Sequence, residues 1–94
     1  MPLTLKFIGE LRQISGKTQA KIDYQKGLTI KVIVANFSVE MPQLGKVFCD
    51  QQLGDARFNA LVLVNGREIS VLDGLETVLH DGDEIVFIPV VHGG

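Results

Sequence analysis

Leu3, Leu5 and Phe7 alternate with Thr4, Lys6 and Ile8, a period of two that predicts a strand with one buried face over about residues 2 to 8. Ala20, Ile22 and Tyr24 alternate with Gln19, Lys21 and Asp23 in the same way. Gly9 and Gly16 lie between the two runs and supply chain reversal, so the segments are expected to pair as a hairpin with a long loop. After Lys26-Gly27 the period becomes helical. Ile30, Ile33, Val34, Phe37 and Met41 fall on one face, and Thr29 is placed to cap the start, which predicts a helix over about 29 to 41. Its interior is rich in β-branched Ile and Val, poor helix formers, so it must owe its stability to packing on a sheet. Pro42 is expected to stop it, because the residue before proline avoids the helical region.

Residues 42 to 58 mix Gly45, Gly54, Gln51, Gln52 and Asp55 with a short apolar patch at Val47, Phe48 and Cys49, and read as a connector with at most one helical turn. Ala60 to Val64 is a continuous apolar run, and Asn65-Gly66 after it is a strong hairpin signal. Strand, turn and a short strand through Ile69 and Val71 are expected there, then a short helical turn near Gly74 to Leu79, a tight turn at Asp81-Gly82-Asp83, and a last strand from Glu84 to Pro89. One helix with one apolar face covers one face of a sheet, which makes an α+β two-layer domain. The long excursion between first and last strands permits them to lie side by side and parallel. That arrangement is a ubiquitin-like β-grasp: a mixed sheet of four to five strands with one main helix on one face. The domain is expected to span residues 1–89, with a flexible tail over 90–94 ending in Gly93-Gly94.

Composition narrows the function classes. A net charge of −2 and the lack of any Lys/Arg run argue against direct contact with nucleic acid or an anionic membrane, both of which want a basic patch. No apolar run is long enough to span a bilayer, and Met1-Pro2 leads straight into strand-like sequence without a secretory pattern, so a cytoplasmic location is the expectation. Cys49 is the one cysteine, which precludes an internal disulfide. It reads as a small buried hydrophobe sooner than as a nucleophile. With His80 and His92 it makes no metal-ligand spacing, and no metal is expected. The carboxylates of Asp81-Gly82-Asp83-Glu84 are explained by turn formation. Neither a phosphate-cradling glycine loop nor a catalytic triad is present in the sequence.

Two features remain that folding alone does not require. Gly93 and Gly94 after a closing strand would offer the terminal carboxylate as a reactive group, against the bland alternative of a frayed terminus. Ala60, Val62 and Val64 share one parity and Leu61 and Leu63 the other, while Ile85 and Phe87 alternate with Val86 and Ile88. Both strands are therefore apolar on two faces although one helix covers only one. The second face is either covered by the 42 to 58 connector or kept as an apolar patch for a partner.

The run Val64-Asn65-Gly66-Arg67-Glu68-Ile69, then Leu79-His80-Asp81-Gly82-Asp83-Glu84, then Phe87-Ile88-Pro89 and Gly93-Gly94, resembles the small, sulfur-carrying subunit of molybdopterin synthase and its ubiquitin-like relatives. Gly9-Glu10-Leu11-Arg12 and Thr29-Ile30 are also similar, so the likeness spans nearly the whole chain. Val90, Val91 and His92 depart from that subunit's usual ending, and His92-Gly93-Gly94 is closer to the ubiquitin-related modifier that carries sulfur for tRNA thiolation. The resemblance implies that an adenylating enzyme of the ubiquitin-activating type lets the Gly94 carboxylate attack ATP, and that a persulfide donor then displaces AMP to leave a thiocarboxylate. A carboxylate is otherwise a sluggish acyl group. It implies tail-threading roles for His92 and Gly93, and partner contacts at Ile88, with Val86, Pro89 and Val91 beside it. No cofactor is expected on the chain itself, ATP being used by the activating partner, and no acid or base comes from the carrier.

The first reading that follows is a sulfur carrier working with the molybdopterin synthase large subunit. A second is a carrier for tRNA thiolation or a modifier joined to lysines of other proteins. A third, of a different class, is a β-grasp binding module without acyl chemistry.

Overall fold

The computed structural model describes residues 1–48 and 60–89, and the side chains of residues 46–48 lie outside that description. The first strand, β1, is Leu3–Phe7, and Leu3, Leu5 and Phe7 are buried while Thr4 and Lys6 face the other way. It pairs antiparallel with β2, Gln19–Ile22, as the alternation predicted. The loop between them is not irregular: it holds a six-residue helix, α1, Glu10–Ser15, which buries Leu11 and ends at Gly16 in the left-handed conformation. Arg12 Nε donates to the Phe7 carbonyl at 3.0 Å and ties α1 back to the end of β1.

The main helix, α2, is Ile30–Glu40. Thr29 caps it as expected, its hydroxyl oxygen accepting from Val32 N at 3.3 Å. Ile30, Ile33 and Phe37 form its buried stripe, with Val34 and Met41 partly buried against the same core. Phe37 meets Phe7 edge-on at 5.6 Å and Phe87 edge-on at 6.2 Å, and the two sheet rings lie stacked 5.9 Å apart. This cluster is where helix and sheet grip one another, through ring geometries worth about 1 kcal/mol each beyond burial.

Pro42 ends α2 and at once begins another helix, α3, Pro42–Phe48, where a connector was expected. Proline is suited to a first helical position, since the N–H it lacks would be unpaired there anyway. Leu44 is fully buried, and a Cβ at Gly45 would fall 2.7 Å from Ser38 Oγ, so glycine is what lets α3 lie this close to α2. The rest of the expected connector, residues 49 to 59 including Cys49, lies outside the described residues.

Strand β3, Ala60–Val64, turns at Asn65-Gly66 into β4. Both turn residues have positive φ, 51° and 84°, the backbone that favours Asn-Gly in a two-residue hairpin. β4 is only Arg67–Glu68, shorter than the strand expected through Val71, because the chain leaves the sheet in a 3-10 turn at Ile69–Val71 that buries Ile69. A second 3-10 turn at Gly74–Glu76 leads to Leu79, whose N–H donates to the Leu28 carbonyl at 2.8 Å just before α2. The last strand, β5, is Glu84–Pro89. It runs parallel to β1 and antiparallel to β3, giving a five-stranded order β2-β1-β5-β3-β4 with α2 on one face: a β-grasp.

Candidate docking face and tail root

β5 occupies the centre of the sheet, so both its faces and its far end matter. On the helix side Ile85 and Phe87 are fully buried. On the other side Val86 pairs with Leu63 and Ile88 with Leu61, which makes a two-by-two apolar block. Leu61 remains 41% exposed, and the other three are half-buried, so the second apolar parity read from β3 and β5 is an outward surface. Its rim is charged. Lys6 sits across from Val86, with Nζ 3.1 Å from Glu84 Oε2, and Glu68 lies across from Leu63. An apolar centre ringed by charge is the anatomy of a surface that pairs with another protein.

Val86 and Ile88 are thus brought together, and Pro89 is not with them. Pro89 follows the parity of Phe87 and stands opposite Ala60 on the helix side. A Cβ at Gly9 would come within 3.3 Å of the Pro89 Cγ, and Gly9 has φ 62° and ψ −135°, a backbone open essentially to glycine alone. Pro89 is the last described residue of β5, so Gly9 and α1 form the wall against which the strand ends. Val91, His92, Gly93 and Gly94 lie outside the described residues. The part played by Gly9 could have been suspected from its place at a strand end, but its contact spans 80 residues of chain and leaves no local mark.

The motifs behind the family likeness serve the body of the fold. Asn65 Nδ2 donates to Asp83 Oδ1 at 2.8 Å, and Asn65 Oδ1 accepts from Glu84 N at 3.0 Å. Asp83 Oδ2 accepts from His80 N at 2.8 Å. Asp83 is buried, and its carbonyl accepts from Thr4 N at 3.0 Å. Asn-Gly and Asp-Gly-Asp are two turns locked to each other at the entry to β5, which accords with the turn-forming reading of these carboxylates. Among the described residues no group of three or more His, Cys, Asp or Glu is placed to hold a metal, and no helix is long and apolar enough to cross a membrane.

Comparison with known proteins joins these features. The ThiS family matches residues 5–94. Small archaeal modifier protein 3 of Haloferax volcanii is 32% identical over 95 residues, covering 100% of both chains. An Archaeoglobus fulgidus protein named as a sulfur carrier is 33% identical over 75 residues, covering 79% of this chain and 82% of its own. Among solved structures, small archaeal modifier protein 1 from Methanosarcina acetivorans superposes with a TM-score of 0.77 at 28% identity, covering 99% of this chain and 96% of that one. Urm1 from Trypanosoma brucei does so at 0.74 and 27%, covering 99% and 95%. A Pyrococcus furiosus protein named for subunit 1 of the molybdopterin converting factor reaches 0.73 at 18% identity over 97% and 99%, a likeness of fold alone. With a β-grasp sheet, an open apolar face and a matched region that runs to Gly94, the chain belongs to the ThiS family of ubiquitin-like sulfur carriers.

Proposed function

We propose that this chain is a sulfur carrier and small protein modifier whose Gly94 carboxylate is activated by adenylation. The observation that carries the reading is that the family match extends to Gly94 and the alignment with small archaeal modifier protein 3 covers both chains in full. The two glycines therefore belong to the matched region. A carboxylate oxygen of Gly94 attacks the α-phosphorus of ATP in an activating enzyme, pyrophosphate leaves, and an acyl-adenylate forms. A persulfide from a donor protein then attacks the carbonyl and expels AMP, and a second thiol cleaves the sulfur–sulfur bond to leave a thiocarboxylate. A lysine amine attacking the same activated carbonyl gives an isopeptide bond instead, which is the modifier outcome.

The chain supplies no acid or base to these steps. Its contributions are an unhindered terminus, with His92 and Gly93 threading the enzyme's passage, and the Leu61, Leu63, Val86 and Ile88 face for docking. Service to a molybdopterin synthase large subunit is the second reading, supported by the Val64–Ile69 and Leu79–Glu84 motifs. It ranks below the modifier reading because Asn65 and Asp83 in those motifs are spent on holding turns together, and because the relatives of higher identity are modifiers and carriers.

Mass spectrometry of the full chain after reaction with ATP, the activating enzyme and a persulfide donor tests the proposal. A gain of about 16 Da at the terminus, sulfur in place of oxygen, supports it. An unreactive terminus sinks it. Lysine-linked adducts from the native cells mark the modifier outcome, and co-purification with a molybdopterin synthase large subunit marks the second reading.

A further inference from the structure

The face with α2 carries a surface that the tail chemistry does not use. Between β2 and α2 runs a groove of about 230 Å³. Its floor is apolar, made by Leu5, Ile22, Ile33 and Phe37, and its rim carries the carboxylates of Asp23 and Glu40. Among the described residues no lysine or arginine lines it. Of the lysines adjacent in sequence to lining residues, Lys21 pairs with Thr4 and so points to the opposite face of the sheet, Lys31 forms an ion pair with Glu76 at 3.6 Å, and Lys26 lies in the turn after β2 outside the lining.

Two independent observations say that this groove is open along its length. First, β2 is an edge strand among the described residues, with β1 on one side and no described strand on the other. Phe7 N–H donates to the Thr18 carbonyl, so the even-numbered residues here turn their main chain toward β1, and Gln19 and Lys21 turn theirs outward. Unpaired strand edges are templates for another strand. Second, α2 exposes two valines among the Lys31, Ala35, Asn36 and Glu40 of its solvent side. Val32, which lines the groove with Asn36 at i+4, is 44% exposed, and Val39 at i+7, beyond the lining, is 81% exposed. Valine is a poor helix former, so neither propensity nor burial in this chain accounts for it at those positions.

We propose that this groove receives an extended segment of a partner protein, apolar at alternate positions and flanked by lysines or arginines, which adds to β2 as a sixth strand. Main-chain hydrogen bonds to Gln19 and Lys21 set its register, and every second side chain, about 7 Å apart, points into the groove. Asp23 and Glu40 select the flanks: beside an apolar floor their charge attracts a cationic segment and rejects an anionic one. The Leu61 and Ile88 patch lies on the other face of the sheet, so both surfaces can be occupied at once. This inference does not rest on the thiocarboxylate reading, because the binding needs neither ATP nor an activating enzyme.

The full chain, labelled with 15N, is titrated with a short peptide of alternating valine and isoleucine flanked by lysines, and with the same peptide flanked by glutamates. Saturable amide shifts confined to residues 19–23 and 32–40 are expected with the first, and binding at least about tenfold weaker with the second. Asp23→Lys with Glu40→Lys should reverse that preference, and Val32→Glu should abolish binding of the lysine-flanked peptide, both variants keeping a dispersed amide spectrum. Four results overturn the proposal: no saturable shift at millimolar peptide, shifts centred on Leu61 and Ile88, equal binding of both peptides, or concentration-dependent shifts without peptide that mark pairing of two copies through β2.

Discussion

Replacing Asn65 by alanine should cost about 3 kcal/mol, and the sum can be worked bond by bond. The bond from Nδ2 to the Asp83 carboxylate is charge-assisted and part-buried, worth about 1.5 kcal/mol. The bond accepted from Glu84 N is exposed, so water replaces most of it, and about 0.5 kcal/mol is lost. Asn65 has φ 51°, and alanine in that left-handed region pays about 1 kcal/mol. Asn65→Gly removes the bonds without the backbone strain and should cost about 2 kcal/mol. Asn65→Asp loses the donor and sets a carboxylate against Asp83, so it should be the worst of the three and should recover partly in high salt.

Urea unfolding followed by circular dichroism reads these differences. With a slope of about 1 kcal/mol/M for a domain of this size, the alanine variant's midpoint should fall by about 3 M. A fall under about 0.5 M would refute the account of the locked turns. So would a glycine variant as unstable as the alanine one, since the strain would then contribute nothing. The lock stands at the start of β5 and the tail at its end, so folded Asn65→Ala should still be charged at its terminus at the wild-type rate.

Gly94→Ala should do the reverse, leaving the urea midpoint unchanged while lowering the rate of adenylation at least about a hundredfold, because misplacing a reacting group by a methyl's width is that costly. Pyrophosphate release with the activating enzyme checks it. Leu61→Lys and Ile88→Ala should weaken binding to the activating enzyme about tenfold or more, with Leu61→Lys nearly silent in stability, as calorimetry and unfolding would show together. Gly9→Ala should lose about 2 kcal/mol in unfolding experiments, from a backbone closed to alanine and a methyl pressed on the Pro89 ring.

The elements readable from sequence were those long enough to show a period. Thr29 followed by Ile30, Ile33 and Phe37 marks α2 almost to the residue, and the alternation in Glu84 to Pro89 marks β5. α1 escaped because its six residues carry only Leu11 and Ile14 as apolar marks, less than two turns of pattern. α3 is hidden because Pro42 carries two signals at once, an ending for α2 and a first helical position for α3. β4 ran short because burying Ile69 required the chain to leave the sheet, a tertiary demand that no window of sequence contains. In the site, the double apolar parity of β3 and β5 announced the open face. Nearness to the tail puts Pro89 with Ile88, whereas strand alternation assigns it to the side of Phe87.

The internal motifs of the family likeness and the outer face of the sheet are made by different residues of the same chain. Asn65 and Asp83 belong to the most specific stretch of motif, yet their partners are all within the fold, and a domain needing only to fold would keep them. Leu61 lies outside those motifs, and burial in this chain gives no reason for an exposed leucine beside the half-buried Ile88 on the outer side of the sheet. The first pair is accounted for by folding, and the second pair is where the proposed docking face lies. Substitutions that unfold the domain and substitutions that disarm it should therefore separate cleanly by face, with Gly9 the exception, since it holds the end of β5 from which the tail departs and so answers to both.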